Sequence, residues 1–207
     1  FVFYIWVLSF ISVFVAILWI MVNHASKKHS QLQTNLNYYP KITIAVPVFN
    51  EKKSIILTLK SIFAQDYPKD RLEIILVDDK STDNTIQLIK QFIFENNYNK
   101  IKIIKHKKNL GKAGALNTAL RLAKGEYFWV YDADSIASKE LLKNLLLRFQ
   151  EPENTDVAAV VAITLIGNQV KYIEKMQRLE YVMAAFTRKL LGSVDTLHNT
   201  NALTLFK

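Results

Sequence analysis

The chain has 207 residues, with 27 basic and 18 acidic side chains and a formal charge of +9. That length fits one α/β domain with a small appendage. Half the residues are hydrophobic, glycines number five and cysteine is absent, which excludes disordered, collagen-like and disulfide-stapled chains and leaves no thiolate for a zinc site or a nucleophile.

Residues 1–22 are apolar except for Ser9 and Ser12. At about 1.5 Å per residue they make a helix of roughly 33 Å, which matches a hydrocarbon core of ~30 Å. A signal-peptide core is shorter, about 7 to 15 residues, and ends at a small-residue cleavage site that the polar stretch after Val22 does not offer. The run therefore predicts a transmembrane helix over 1–22. Lys27 and Lys28 follow it, and the positive-inside tendency places the rest of the chain in the cytoplasm, at the cell membrane. The charge lies outside the span, so anionic headgroups are the expected partner of the basic surface. Nucleic acid is the competing partner; Lys100–Lys108 contains no Arg and only His106 as an aromatic neighbour, which is no stacking platform, so none is expected.

Residues 23–40 are polar and end at Pro40, the composition of a linker. Beyond it, β-rich runs recur at 42–48, 73–77, 101–105, 127–131 and 157–163. Helical patterns fill the gaps, with apolar faces such as Ile55, Leu59, Ile62 and Phe63, or Leu141, Leu142, Leu145 and Phe149. Strand, helix, strand in this rhythm predicts consecutive βαβ crossovers and a mainly parallel sheet covered on both faces.

Ligands of such sheets bind beyond the carboxyl ends of the strands. Those positions hold Asn50 and Glu51, then Asp78 and Asp79, then Asn109–Gly114, then Asp132 and Asp134. In the second loop one carboxylate can cap or buttress the turn while the other accepts hydrogen bonds from a base or a ribose. In the fourth, two carboxylates two residues apart suit Mg²⁺ or Mn²⁺, whose shells are completed by phosphate oxygens and water. The third loop brings two glycines and Lys112 to a helix start, which suits phosphate, with close helix-to-sheet packing as the alternative. It is neither a dinucleotide fingerprint nor a Walker loop. The four histidines have no ligand spacing, so a His-based metal site is not expected. An acceptor for a nucleoside, a metal and a phosphate turn together are what a nucleotide-diphosphate sugar requires.

Four runs in order, Ile44–Glu51, Val77–Thr85, Asn109–Asn117 and Asp132–Asp134, resemble the family-2 glycosyltransferases. More narrowly they resemble the membrane-bound processive polysaccharide synthases of cellulose, hyaluronan and poly-N-acetylglucosamine, as does Gln177–Tyr181. The resemblance covers 41–207 and implies a Rossmann-like GT-A domain over those residues. It implies that Asp79 contacts the uracil or ribose of a UDP-sugar, that Asp134 binds Mg²⁺ or Mn²⁺ bridging the diphosphate, with Asp132 beside it contacting the ribose or sugar, that Lys112 lies near the nucleotide, and that Pro47 and Glu51 shape the pocket floor. The implied chemistry is inverting transfer to a growing polysaccharide or other hydroxyl acceptor. The general base of the family belongs to a motif expected beyond Lys207, so these residues are expected to bind donor and metal but to transfer sugar poorly or not at all. His198–Ala202 also carries Asn where many relatives have Ser-Gly. A lipid-linked (dolichyl- or polyprenyl-phosphate) sugar transferase and a non-catalytic membrane adaptor are the alternatives.

Overall fold

The computed structural model describes residues 2–27, 35–98, 101–151, 157–164, 167, 172–192 and 203–207. The chain forms two compact units, one of residues 1–32 with 164–199 and one of residues 33–163 with 200–207. Residues 164–199 of the stretch 41–207 fall in the first unit. His198–Ala202 lies outside the described residues.

In the first unit α1 spans Val2–Lys27 and α6 spans Tyr172–Gly192. Phe3–Met21 of α1 has a mean hydropathy of 2.4 and none of it is buried, so the helix is long and apolar enough to cross a membrane. It outruns the apolar stretch by about one turn, because nothing between Asn23 and Lys27 breaks a helix.

The second unit begins before the first strand. Asn37 N–H donates to Gln150 Oε1 at 2.8 Å, Gln150 Nε2 donates to Tyr38 O at 3.1 Å, and Tyr67 Oη donates to Pro40 O at 2.6 Å. Residues 35–40 of the expected linker are therefore fastened to the domain, with Leu36 and Pro40 buried. Polar composition concealed this, since backbone groups make most of the attachment.

The strands are β1 (Ile42–Val48), β2 (Leu72–Asp78), β3 (Ile101–Lys105), β4 (Tyr127–Val130), β5 (Ala159–Val161) and β6 (Thr204–Phe206). The helices between them are α2 (Ile55–Phe63), α3 (Thr85–Glu95), α4 (Gly111–Leu122) and α5 (Leu141–Gln150). Sheet order is β3-β2-β1-β4-β6-β5. The first four strands pair in parallel, as expected. β6 runs antiparallel between β4 and β5, so β4 and β5 point the same way and the last βαβ crossover steps over one strand instead of joining neighbours. A three-residue strand carries too little periodicity to show its direction.

β2 is buried at every position, as a strand covered on both faces must be. Ile42, Ile44, Val46 and Val48 of β1 pack with Ile55, Leu59 and Ile62 of α2, Ile89 of α3 and Leu142 of α5. The opposite face carries Ala45, Ile75 and Val77, which pack against Ala115 and Ala119 of α4. The chain moves outward from β1 to β3 with helices on one face, then returns by α4 across the other to β4. Successive connections from β1 and into β4 thus diverge, and the crevice of the sheet opens between these two strands.

Candidate active site

Pro47 marks where that crevice starts. Tyr131 N–H donates to Ala45 O at 2.9 Å, so the odd residues of β1 turn their backbone groups toward β4. The β1–β4 pairing ends at Ala45 and Val130, and Pro47 is the next residue in the odd series. β4 has left by then, and a residue without an N–H leaves no donor stranded.

The next turn is held by side chains. Asn50, at φ 56°, accepts Thr82 N–H at 2.8 Å and Asp83 N–H at 3.3 Å on Oδ1, and its own N–H donates to Ser81 Oγ at 3.0 Å. The loops after β1 and β2 are thereby stitched into one wall. Asn is among the few non-glycine residues that tolerate this left-handed backbone.

Both aspartates at the end of β2 are occupied within the protein. Asp78 Oδ1 accepts Ser81 N–H at 2.9 Å. Asp79 accepts Leu110 N–H at 2.8 Å and Gly111 N–H at 2.7 Å, one on each oxygen, and His106 Nδ1 lies 2.7 Å from Oδ1. Burial pushes the Asp79 carboxyl up, but the hydrogen bonds from Leu110, His106 and Gly111 outweigh it and hold the group below its ordinary value. His106 Nε2 lies 2.9 Å from Thr118 Oγ1 on α4.

This corrects two expectations. Asp79 is not a free carboxylate awaiting a base; it closes the start of α4, and at most one acceptor site remains open. The Asn109–Ala115 turn is not an open phosphate cradle, because its first two N–H groups and the positive end of the helix already face a carboxylate. Gly111 has φ +73°, which explains the glycine without any ligand.

Lys112 follows in the first turn of α4 and crosses the crevice. Its Nζ lies 2.6 Å from Asp132 Oδ1, which is buried and has no donor aligned on it as a hydrogen bond. Asp134 is exposed.

A cleft of about 410 Å³ is lined by Pro47, Glu51, Asp79, Lys112, Asp132 and Asp134, together with Phe49 and Asn109. All six candidate site residues therefore share one cavity at the mouth of the β1–β4 crevice. Two residues escaped the sequence. Phe49, 47% exposed, offers the cleft an aromatic ring. His106 carries no spacing signal, because its partner Asp79 comes from the end of a neighbouring strand.

Among the described residues no three acidic or histidine side chains converge as a metal cage. Asp132 and Asp134 can supply two carboxylate oxygens to a hard divalent ion, the remainder coming from phosphate and water. This is how Mg²⁺ is ordinarily held, so the residues fit such an ion when a diphosphate accompanies it.

Comparison with known proteins agrees with this layout. Residues 43–207 match Glycosyl transferase family 2. The chain is 34% identical over 125 residues to a Methanococcus voltae dolichyl N-acetyl-α-D-glucosaminyl phosphate 3-β-D-2,3-diacetamido-2,3-dideoxy-β-D-glucuronosyltransferase, covering 58% of this chain and 39% of that protein. It is 29% identical over 212 residues to the poly-β-1,6-N-acetyl-D-glucosamine synthase of Staphylococcus aureus (strain COL), covering 97% of this chain and 49% of the synthase. Its fold superposes on the mannosyltransferase PcManGT of Pyrobaculum calidifontis, solved with GDP-mannose and Mn²⁺, with a TM-score of 0.63 and 32% identity over 70% of this chain and 42% of that one. The chain thus spans half or less of the length of these relatives. By its motifs, sheet order and cleft, this chain belongs to glycosyltransferase family 2 and carries the GT-A fold.

Proposed function

We propose that the chain is the donor-binding portion of a membrane-anchored, inverting glycosyltransferase that moves a sugar from a UDP-sugar to a growing polysaccharide or another hydroxyl acceptor. The observation that carries this reading is the convergence of Pro47, Glu51, Asp79, Lys112, Asp132 and Asp134 on one cleft. The likeness to a polysaccharide synthase over 97% of the chain supports the polymer acceptor.

The roles divide by availability. Asp134, exposed, and Asp132, beside it, would hold Mg²⁺ or Mn²⁺ against the diphosphate. The ion supplies charge neutralisation as the diphosphate leaves. Lys112 would exchange Asp132 for a phosphate oxygen, because a diphosphate carries more charge than one carboxylate. Phe49 offers an aromatic face to the base, Pro47 and Glu51 shape the floor, and Asp79 reaches the nucleotide only through its remaining acceptor site while fixing the helix that carries Lys112. α1 would anchor the domain at the cytoplasmic face of the cell membrane, with the basic surface toward lipid headgroups and no nucleic acid involved. Lipid-linked transfer is the second reading, favoured by the dolichyl-linked substrate in the name of the Methanococcus relative.

The test is calorimetric titration of UDP, and separately GDP, into the purified chain with Mn²⁺ or with EDTA. Mn²⁺-dependent UDP binding that Asp134→Ala abolishes is the expected result. Absence of binding, or binding indifferent to Asp134→Ala, removes the reading; preference for GDP changes the donor.

A further inference from the structure

α2 packs its apolar stripe on the sheet, but beside that stripe runs a second, polar one. Thr58, Ser61 and Gln65 lie three and four residues apart, on one side of the helix and its C-terminal end, and are 0%, 7% and 2% exposed. Buried polar side chains on a core helix need partners. Here each of the three has, besides carbonyls of its own turn, a partner in a single segment, the one that carries Asp132 and Asp134.

Thr58 Oγ1 lies 2.8 Å from Ala133 O and 3.4 Å from Ser54 O, so its single proton goes to Ala133, the residue between the two aspartates. Ser61 Oγ donates to Thr58 O at 2.8 Å. Its proton is then spent, so in the 2.7 Å contact between Ser61 Oγ and Tyr131 Oη the tyrosine is the donor. Tyr131 Oη in turn accepts Ala137 N–H at 2.9 Å. Gln65 Nε2 donates to Ser138 O at 2.8 Å, and Gln65 Oε1 accepts Leu142 N–H at 3.0 Å. Asp66 N–H donates to Lys139 O at 2.8 Å. The segment from β4 to the start of α5 is thus tied to α2 at 131 and 133, and to Gln65 and Asp66 just beyond that helix at 138, 139 and 142.

We propose that Thr58, backed by the Ser61–Tyr131 tie, is a positioning residue: by fixing the Ala133 carbonyl it sets how Asp132 and Asp134 present their carboxylates to one divalent cation and its diphosphate. The inference rests on the donor-binding reading above. A loop free to pivot about Ala133 would carry the same two carboxylates at unmatched orientations, and groups that orient metal ligands act strongly on affinity without touching the metal.

Thr58→Val keeps the shape of the side chain and removes the donor, whereas Thr58→Ser keeps the donor. UDP is titrated into the full chain and both variants, with Mn²⁺ and with EDTA, beside their melting curves. Thr58→Val weakens Mn²⁺-dependent UDP binding by about tenfold or more, leaves the metal-free component unchanged, and Thr58→Ser restores most of the loss. Wild-type affinity in Thr58→Val, or an equal fall with and without metal, overturns the proposal. Should Thr58→Val fail to fold, Tyr131→Phe, which removes the donor to Ser61 and the acceptor of Ala137 N–H, is judged by the same comparison. A wild-type chain without Mn²⁺-dependent binding overturns the donor reading and this inference together; binding that ignores both substitutions overturns this one alone.

Discussion

Asp79 and Gly111 meet at 2.7 Å, carboxylate oxygen to backbone N–H, and this one contact joins the end of β2 to the beginning of α4. It explains why the helix starts where it does without a capping side chain of its own at Leu110. It also ties the stability of the domain to proton concentration. Since hydrogen bonding holds the Asp79 carboxyl below its ordinary value, its contribution is fully present above that ordinary value, near pH 4, and is lost as the pH falls through the lower folded value. Asp79→Asn should flatten the acid limb of the stability curve, and Asp79→Ala should cost about 2–3 kcal/mol by stranding two N–H groups. Urea unfolding at pH 7 and below pH 4 checks both.

Tyr127 gives the alkaline counterpart. Burial, then the hydrogen bond and charge of Tyr38, push its phenol up to about 12, and burial raises Tyr67 as well. An unfolded tyrosine loses its proton near pH 10, so the stabilising difference is present below pH 10 and declines as the pH climbs toward 12. Phenolate absorbance should show exposed tyrosines ionising first, with Tyr127 following only as the melting temperature falls; Tyr127→Phe should remove its share of that decline.

Lys80 sits at φ 68°, in a left-handed conformation without the amide that eases Asn50. Such a backbone costs a residue with a Cβ about 1–2 kcal/mol, which glycine avoids at a smaller entropic cost. Lys80→Gly should leave stability unchanged or raise it by a few tenths of a kcal/mol, while Lys80→Ile should lower it by about 1 kcal/mol more than the lysine does. Thermal melts of the two variants decide this.

Gly125 is required by space alone. A Cβ there would overlap Thr43 N and stand 2.8 Å from both Ile42 C and Tyr127 O, all backbone atoms that cannot turn aside. Its N–H also donates to Thr43 Oγ1 at 2.9 Å. Gly125→Ala should therefore destabilise the domain by about 2–3 kcal/mol, measurable as a lower urea midpoint, with no selective effect on UDP affinity in the fraction that remains folded.

What could be read from the chain divides along a physical line. α1 was legible as a long apolar helix because composition and length alone announce one, and the parallel strands because period and spacing alone make βαβ units. The cleft was legible because strand ends in such a sheet gather on one edge. The role of Asp79 was hidden, since its partners Leu110 and Gly111 are backbone groups of a distant loop and no residue type announces a donated N–H. Likewise the burial of Thr58, Ser61 and Gln65 contradicts their polarity, and only the carbonyls of the facing loop make sense of it. The antiparallel β6 was beyond reach for want of length.

That late strand has a consequence for biogenesis. Among the described residues β5 pairs in the sheet with β6 and not with β4, and β6 joins it to β4. Four strands can zip together while the polypeptide is still being synthesised, whereas Ala159–Val161 must wait, edge unpaired, until Thr204–Phe206 has emerged to slot in beside it. Until then the edges of β4 and β5 that β6 later covers stay open, and this interval is when a chaperone or a neighbouring copy would find the nascent domain most adhesive.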